Sequence, residues 1–250
     1  MKRSESNFVI TTLAMLTLLG PLTPSAFADN IVVYGATGSV GSLIVEEALD
    51  RGHTVVGVSR NPESMQIENM NFSTAQGDVT NSDSIASTVE GADTVIIAVG
   101  GVGPGNTPEE AIAYRGANAY IAAASRLGDA TPYVIQVGSG TTLNTNGVRV
   151  FETLDLEPGS FVHGLFQGHW LALEAYRHST SFDWTVMSAA YGSIMEAGEL
   201  MGRYRLGDQE TLFDRNGSSL LSKEDFAVAV IDMAESHTVT GKRVAVGPPY

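Results

Sequence analysis

Short apolar runs alternate with amphipathic stretches along most of the chain. The short runs predict strands at 30–34, 54–58, 71–76, 94–99, 132–137, 183–187 and 243–246. Apolar residues at helical spacing predict helices at 39–51, 82–90, 108–127, 161–178 and 222–235. Alternation of this kind is typical of parallel strands joined by crossover helices. The pattern therefore predicts an α/β fold in which helices cover both faces of a parallel sheet.

The pattern changes after residue 188. Glycine-punctuated turns and short strands replace the regular alternation before the last helix and strand. We expect this tail to form a small C-terminal substrate lobe over the carboxyl ends of the strands, with Tyr191 and 192–205 as a substrate wall. Met187, Met195 and Met201 are expected to pack in the core or the lobe. The chain contains no internal repeat or low-complexity linker, so 29–250 is expected to be a single domain.

The amino terminus has the features of a secretory signal. Lys2 and Arg3 precede an apolar run at 8–22, and Ala26-Phe27-Ala28 follows as a small-residue cleavage motif. The run is shorter than the roughly 20 residues that cross a bilayer as a helix. We expect a signal peptide at 1–28, cleavage after Ala28, and an exported, periplasmic protein without a membrane span. An uncleaved anchor or a mis-assigned start, with a cytoplasmic protein, remains the alternative.

Composition excludes several classes of function. The 250 residues include 14 Lys and Arg against 28 Asp and Glu, a formal charge of −14 that disfavours binding to nucleic acid or anionic lipid. No cysteine is present, which excludes disulfides, thiolate nucleophiles and sulfur-ligated metals. The five histidines form no i, i+4 pair, so no metal site is expected. A small molecule is the expected partner.

A glycine-rich turn follows the first predicted strand and opens the first helix. Such a turn lets backbone N–H groups approach a diphosphate, while the start of the helix adds partial positive charge. Gly41 would also let the helix pack closely on the strand. A tight turn that binds no ligand is the alternative. The candidate cofactor-binding residues of this turn are Gly35, Thr37, Gly38, Ser39, Val40 and Gly41.

The end of the second strand carries Ser59 and Arg60. A fold of this kind that prefers NAD would place an acidic residue there, on the ribose hydroxyls. A hydroxyl and a guanidinium instead suit a 2′-phosphate, because Arg offers charge and a forked set of donors. We therefore expect NADP(H) rather than NAD(H). The alternative is that Arg60 is a solvated loop residue.

The third and fourth strands end in further candidates. Asp78 and Val79 would lie near an adenine ring, and Val99 and Gly100 would lie near a nicotinamide ribose. Asp78 could equally be only a turn or helix-capping residue. The glycines at 100, 101, 103 and 105 could also be loop residues without a ligand.

Several of these segments resemble one known family. The turn at 35–41, the pair at 59–60 and the segments 77–79, 116–128 and 183–185 resemble the atypical short-chain dehydrogenase/reductase group with an NAD(P)H-binding, NmrA-like domain. The resemblance covers 30–247. It implies a Rossmann-type parallel sheet and binding of NADP(H).

The chain departs from this family in its catalytic residues. Typical members use a Tyr-x-x-x-Lys pair to protonate the alkoxide that a ketone becomes. Counted back from Glu174, those positions hold Phe166 and Trp170, which cannot serve as acids. The sixth strand ends in Ser188-Ala189 where the family has Arg-Pro. Alcohol dehydrogenation and sugar epimerisation are therefore disfavoured.

Ser139 and His169 are the remaining catalytic candidates. The flavin reductase/biliverdin-IXβ reductase branch is similar, since it lacks the Tyr-Lys pair and has a Ser after strand five and a His at the start of this helix. A flavin or tetrapyrrole spreads incoming charge over its conjugated atoms, so positioning can suffice, with a proton from solvent or His169. Ser139 could also cap a turn, and His169 could be a surface or packed histidine.

These observations lead to two functional hypotheses. The first is an NADP(H)-dependent oxidoreductase that transfers hydride to a flavin or quinone-like acceptor. The second is a non-catalytic NADP(H)-binding redox sensor or interaction protein, in which the phosphate turn is kept and the acid is lost.

Overall fold

An eight-stranded sheet forms the centre of the protein. The structure is a computed structural model and describes residues 28–190 and 198–250. The strands are β1 Asn30–Tyr34, β2 Thr54–Ser59, β3 Phe72–Gln76, β4 Thr94–Ile97, β5 Tyr133–Val137, β6 Trp184–Ala189, β7 Arg205–Gly207 and β8 Lys242–Gly247. The helices are α1 Gly41–Asp50, α2 Ser82–Thr88, α3 Ile112–Leu127, α4 Phe161–Arg177 and α5 Lys223–Ser236.

The strand order is β3-β2-β1-β4-β5-β6-β8-β7. All neighbouring pairs are parallel except β8 and β7, which are antiparallel. β1 pairs with β2 on one side and with β4 on the other, so the topological switch point of the sheet lies beside β1. Ligands of such sheets bind in the crevice at the carboxyl ends of the strands, beside the switch point. The predicted Rossmann-type α/β fold is confirmed.

Side chains of β1 alternate between two buried layers. Ile31 and Val33 pack with α1 and α5 on one face of the sheet. Val32 and Tyr34 pack with α2, α3 and α4 on the other. Burial of each large apolar side chain stabilises the fold by about 1.5–3 kcal/mol. Because both faces of the sheet are covered, the central strands are apolar at nearly every position. This is why they appear in the sequence as short apolar runs.

Two predicted helices begin later than expected. α1 begins at Gly41 rather than 39, because the turn before it closes on itself, with the Gly38 N–H donating to Gly35 O at 2.8 Å. The helix predicted at 108–127 is divided into a short 3₁₀ turn and α3, which begins at Ile112. Ala111 between them has an extended backbone, and the Ile112 N–H donates to Gly101 O at 3.0 Å.

The tail contributes to the main layers as well as to the surface. α5 packs beside α1 beneath the sheet, and β8 adds to the parallel strands. Between β7 and α5, Gln209 and Thr211 hydrogen-bond to Asn144 in a short hairpin. Residues 1–27 of the predicted signal peptide, together with Tyr191, Met195 and the rest of 191–197, lie outside the described residues. None of the helices in the described ranges is long and apolar enough to cross a bilayer.

Candidate nucleotide-binding site

Two adjoining cavities follow the carboxyl ends of the strands beside β1. The first has a volume of about 410 Å³ and lies at the ends of β1, β2 and β3. The second has a volume of about 360 Å³ and lies at the ends of β4, β5 and β6. Gly38, Ala98, Val99 and Gly100 line both cavities. Together the cavities form one elongated crevice at the topological switch point of the sheet.

Two positions of the turn after β1 accept only glycine. Gly35 has a φ of +82°, and a Cβ there would lie 2.2 Å from Ala98 O. A Cβ on Gly41 would lie 2.1 Å from Gly35 O. The turn is therefore held against the end of β4 and the start of α1. This close packing leaves Thr37, Gly38 and Ser39 exposed at the crevice.

The start of α1 is open towards the crevice. No side chain caps it, and its first turn contains no acidic residue. Ser39 and Val40 line the second cavity, while Thr37 lines the first. The amino terminus of a helix carries partial positive charge and N–H groups without helical partners. The turn can therefore hold an anion such as a diphosphate, and its geometry fits the predicted nicotinamide cofactor.

Ser59, Arg60, Asp78 and Val79 all line the first cavity, as the sequence predicts for an adenosine end. Ser59 Oγ also accepts a hydrogen bond from the Asn61 N–H at 3.1 Å, so it caps a local turn. Among the described residues, Arg60 forms no ion pair within 4 Å. Its side chain is exposed in the wall of this cavity.

Asp78 makes a local turn and also lines the first cavity, so both interpretations that the sequence left open for it stay possible. Its carboxylate accepts hydrogen bonds from the Thr80 N–H at 2.9 Å and from Thr80 Oγ1 at 2.8 Å, which makes a local turn. The Thr80 N–H bond is the main reason why the pKa of Asp78 lies below its usual range, and the charges of Arg115 and Arg60 lower it further. Asp78 is therefore an ionised group in the wall of the first cavity.

Arg115 is a site residue that the sequence analysis missed. It lies in the first turn of α3 and lines the first cavity opposite Thr80, with Nη2 at 3.4 Å from Thr80 Oγ1. α3 comes this close because the next residue is Gly116, where an added Cβ would lie 3.2 Å from Val79 Cγ2. The sequence offered one clue, because Arg115 stands beside the small residue Gly116 near the start of a helix. The predicted start at 108 instead of Ile112 hid this clue.

The second cavity is mainly apolar. Phe166, which the sequence analysis predicts at the position of the family's catalytic tyrosine, lies in its wall. Trp170 does not line it, and its ring instead stacks with the guanidinium of Arg149 at 4.4 Å. Among the described residues of the wall, the side chains that carry a polar group are Ser39, Ser139 and His169. The apolar side chains of the wall are Val40, Ala98, Val99, Val137, Leu165, Phe166, Ala189 and Ala190.

His169 is a neutral group in this wall. Burial lowers the pKa of its imidazole to about 4. Its Nδ1 is buried and has no hydrogen-bond partner within the described part of the chain. At neutral pH the ring can donate one hydrogen bond and accept another, but it holds no imidazolium proton to give. Of the two proton sources that the sequence analysis considers, solvent is therefore favoured over His169.

Ser139 lies in the wall and also caps the short turn after β5. Its Oγ is 2.8 Å from Thr141 Oγ1 and accepts a weak bond from the Thr141 N–H at 3.3 Å. The capping role and the position in the cavity therefore coexist. The oxygen lone pairs are partly used by the turn, which leaves the hydroxyl as a hydrogen-bonding group rather than an activated nucleophile. Within 28–190 and 198–250, no group of three potential metal ligands is present.

Three solved structures resemble this one over most of their length. A candidate epimerase from Bacteroides thetaiotaomicron has 28% identity and a TM-score of 0.73, and the match covers 89% of this chain and 98% of that one. A candidate exported protein from Burkholderia pseudomallei has 28% identity and a TM-score of 0.70, and the match covers 88% of this chain and 99% of that one. A candidate NADH-flavin reductase from Streptococcus pneumoniae has 23% identity and a TM-score of 0.72 over 89% and 100%.

A family model confirms the resemblance that the motifs indicate. The model describes an NAD(P)H-binding family and matches residues 35–237. The match begins at the first glycine of the turn and extends through every candidate cofactor-binding and catalytic residue named above. The crevice, the open start of α1 and this match together establish that the chain belongs to the NAD(P)H-binding family, within the atypical short-chain dehydrogenase/reductase group.

Proposed function

We propose that the protein is an NADP(H)-dependent oxidoreductase that transfers hydride to a small conjugated acceptor such as a flavin or a quinone. The observation that carries this proposal is the continuity of the crevice. The first cavity offers two arginines, the open start of α1 lies where the two cavities meet, and the second cavity is an apolar chamber. A dinucleotide laid along the crevice would place its adenosine in the first cavity, its diphosphate at the start of α1 and its nicotinamide in the second cavity.

The residues that would hold the cofactor differ along its length. The N–H groups of the 35–41 turn bind the diphosphate. Arg60 binds the 2′-phosphate, and Arg115 adds a second positive charge beside Asp78. Val79 packs near the adenine, while Val99 and Gly100 lie near the nicotinamide ribose. The bound NADPH supplies the hydride.

The apolar chamber positions the acceptor and excludes water from its rings. Reduction of the acceptor consumes one hydride and one proton, and solvent provides the proton because His169 is neutral. Ser139 and His169 act by hydrogen bonds to acceptor heteroatoms, which orient the ring for transfer. The name of the Streptococcus protein supports a flavin as acceptor.

A variant of Arg60 tests the choice of cofactor. Arg60→Ala is expected to weaken NADPH binding by roughly 10–100-fold, because a hydrogen bond to a charged group contributes about 1.5–3 kcal/mol. NADH binding is expected to stay unchanged, and both are measured by titration calorimetry. Arg126→Ala is the matched control, since Arg126 lies at the end of α3 and pairs with Asp83. Equal loss of both cofactors, or no loss of either, would contradict the assignment.

The non-catalytic sensor remains a second candidate for a specific reason. The described wall of the chamber contains no side chain that is a strong acid at neutral pH, and Phe166 replaces the tyrosine. Steady NADPH oxidation with FMN, riboflavin or a quinone supports the reductase. Stoichiometric NADPH binding without turnover of any of these acceptors supports the sensor.

We also propose that the chain is exported and processed. The signal peptide is cleaved after Ala28, which leaves 29–250 as one periplasmic domain, and the exported designation of the Burkholderia protein supports this route. Mass spectrometry of the native protein tests it, since a start at Asp29 is expected. An intact Met1 would instead overturn the cleavage and the periplasmic assignment. Co-purified NADP would indicate export of the folded, loaded protein.

A further inference from the structure

The backbone nitrogen of Asp29 is held by a buried histidine at the base of the sheet. The Asp29 N–H donates to His53 Nδ1 at 3.1 Å, and His53 is only 2% exposed. His53 Nε2 lies 3.0 Å from Glu235 Oε1 on α5. A peptide N–H can only donate, so Nδ1 is the acceptor and Nε2 carries the proton that Glu235 accepts.

Asp29 is also fixed by its neighbours. Its carbonyl oxygen accepts a hydrogen bond from the Thr54 N–H at 3.0 Å, which begins the pairing of β1 with β2. The next N–H, that of Asn30, donates to Asp93 Oδ2 at 2.8 Å. The Asp29 nitrogen is therefore part of the folded sheet rather than of a loose terminus.

Carboxylates outnumber cations around this nitrogen. The carboxylates of Asp93 and Glu235 and the imidazoles of His53 and His237 act electrostatically on the carboxyl of Asp29, the residue that carries this nitrogen. Arg51 is the nearby guanidinium, but it is shared among Glu47, Asp232 and Glu235. Partial burial raises the pKa of the Asp29 carboxyl, which indicates that water screens these charges incompletely.

We propose that this cluster is a binding site for the mature amino terminus, in which the α-ammonium of Asp29 stays bound to His53 Nδ1 after the signal peptide is removed. The inference rests on the proposed cleavage after Ala28. Hydrolysis adds water across the 28–29 bond, so that Ala28 leaves as a carboxylate and Asp29 keeps its nitrogen as an ammonium. One neutral N–H donor thereby becomes a cation with three donors, at the same place in the fold.

The new charge strengthens the attachment of β1. Charge-assisted hydrogen bonds are roughly twice as strong as neutral ones. The ammonium also compensates the excess of carboxylates, which the uncut peptide bond cannot do. Cleavage therefore completes an ion cluster that links the start of β1, the turn before β2 and α5. We expect the mature terminus to be protected from amine reagents and aminopeptidases.

The experiment uses protein processed by an exporting host from the full chain. After intact mass has fixed the first residue, the rate of acetylation of the α-amine by acetic anhydride is measured near neutral pH. We expect labelling roughly tenfold slower in the native protein than in urea, as a rise of about one unit in the amine pKa would produce. Lys223 and Lys242 are the only lysines of the mature chain, and the exposed Lys242 reports that the reagent is active.

Two variants and one derivative make the outcome decisive. His53→Leu should restore fast labelling of the α-amine, whereas His178→Gln, at the exposed end of α4, should not. Acetylated wild-type protein regains a neutral amide N–H at Asp29, and it should melt at a lower temperature than the free form even if His53→Leu fails to fold. Equal labelling rates in native and unfolded protein, or equal melting temperatures, would overturn the inference. A first residue other than Asp29 would overturn the proposed cleavage as well.

Discussion

Gly35 and Gly52 form a matched pair for testing the close packing of the phosphate turn. Both have a positive φ, of +82° and +87° respectively. A Cβ on Gly35 would lie 2.2 Å from Ala98 O, whereas a Cβ on Gly52 would meet no atom within 4 Å. Substitution by alanine therefore adds the same backbone strain at both positions and adds a collision only at Gly35.

The difference between the two variants isolates the contact with β4. A left-handed backbone costs a non-glycine residue about 1–2 kcal/mol, and alanine returns about 0.4–1 kcal/mol by restricting the unfolded chain. Gly52→Ala should therefore lower the free energy of unfolding by about 1 kcal/mol. Overpacking adds about 1–3 kcal/mol, so Gly35→Ala should lower it by about 2–4 kcal/mol.

The collision should also affect the ligand. Ala98 begins the wall that is common to both cavities, so a backbone shift there changes the whole crevice. We expect Gly35→Ala to weaken NADPH binding at least tenfold, which corresponds to about 1.4 kcal/mol, and Gly52→Ala to leave it unchanged. Urea unfolding, followed by circular dichroism, and titration calorimetry give the two quantities. Equal destabilisation of the two variants, or normal NADPH binding by Gly35→Ala, would refute the reasoning.

Two further predictions concern α4. Folding lowers the pKa of His169 from 6.5 to about 4, so the unfolded chain binds the extra proton and stability falls as the pH drops from about 6.5 towards 4. His169→Asn should abolish up to about 3 kcal/mol of that loss, measured as the pH dependence of urea unfolding; an unchanged slope would contradict it. In Gly168→Ala, the new Cβ would lie 2.0 Å from Ala111 Cβ. The overpacking should exceed the helix-propensity gain and lower the free energy of unfolding by about 1–2 kcal/mol. A variant more stable than the wild type would show that the segment before α3 can shift to accommodate the new Cβ at little cost.

The strands could be predicted from the sequence because the sheet is covered on both faces. Positions such as Val32 and Val33 point to opposite layers and are both buried, so each strand is a short apolar run. The glycine turn was equally visible, since its spacing and its place between a strand and a helix are local features. The fold class and the location of the crevice follow from these two local signals.

The start of α3 could not be predicted from local pattern. Residues 108–111 have helix-forming character, but Ala111 is held in an extended backbone where Gly168 of α4 packs against it. This contact joins residues that are far apart in the chain. Arg115 was missed for the same reason, because its place at the cavity depends on the close approach of Gly116 to Val79. The local hydrophobic pattern contains no information on either of these two close contacts between distant segments.

The chemistry of the chamber limits which acceptors the proposed reductase could use. Hydride addition to a ketone forms an alkoxide, which needs a protein acid close to neutral pKa. Within the described wall, His169 has a pKa of about 4 and the hydroxyl of Ser139 is engaged in a turn, so neither is such an acid. A conjugated acceptor delocalises the same charge over several heteroatoms and can take its proton from water. Phe166 and Trp170, at the positions that the sequence predicts for the Tyr-Lys pair, therefore support the proposed activity on flavins or quinones over ketone reduction by the usual route of this family.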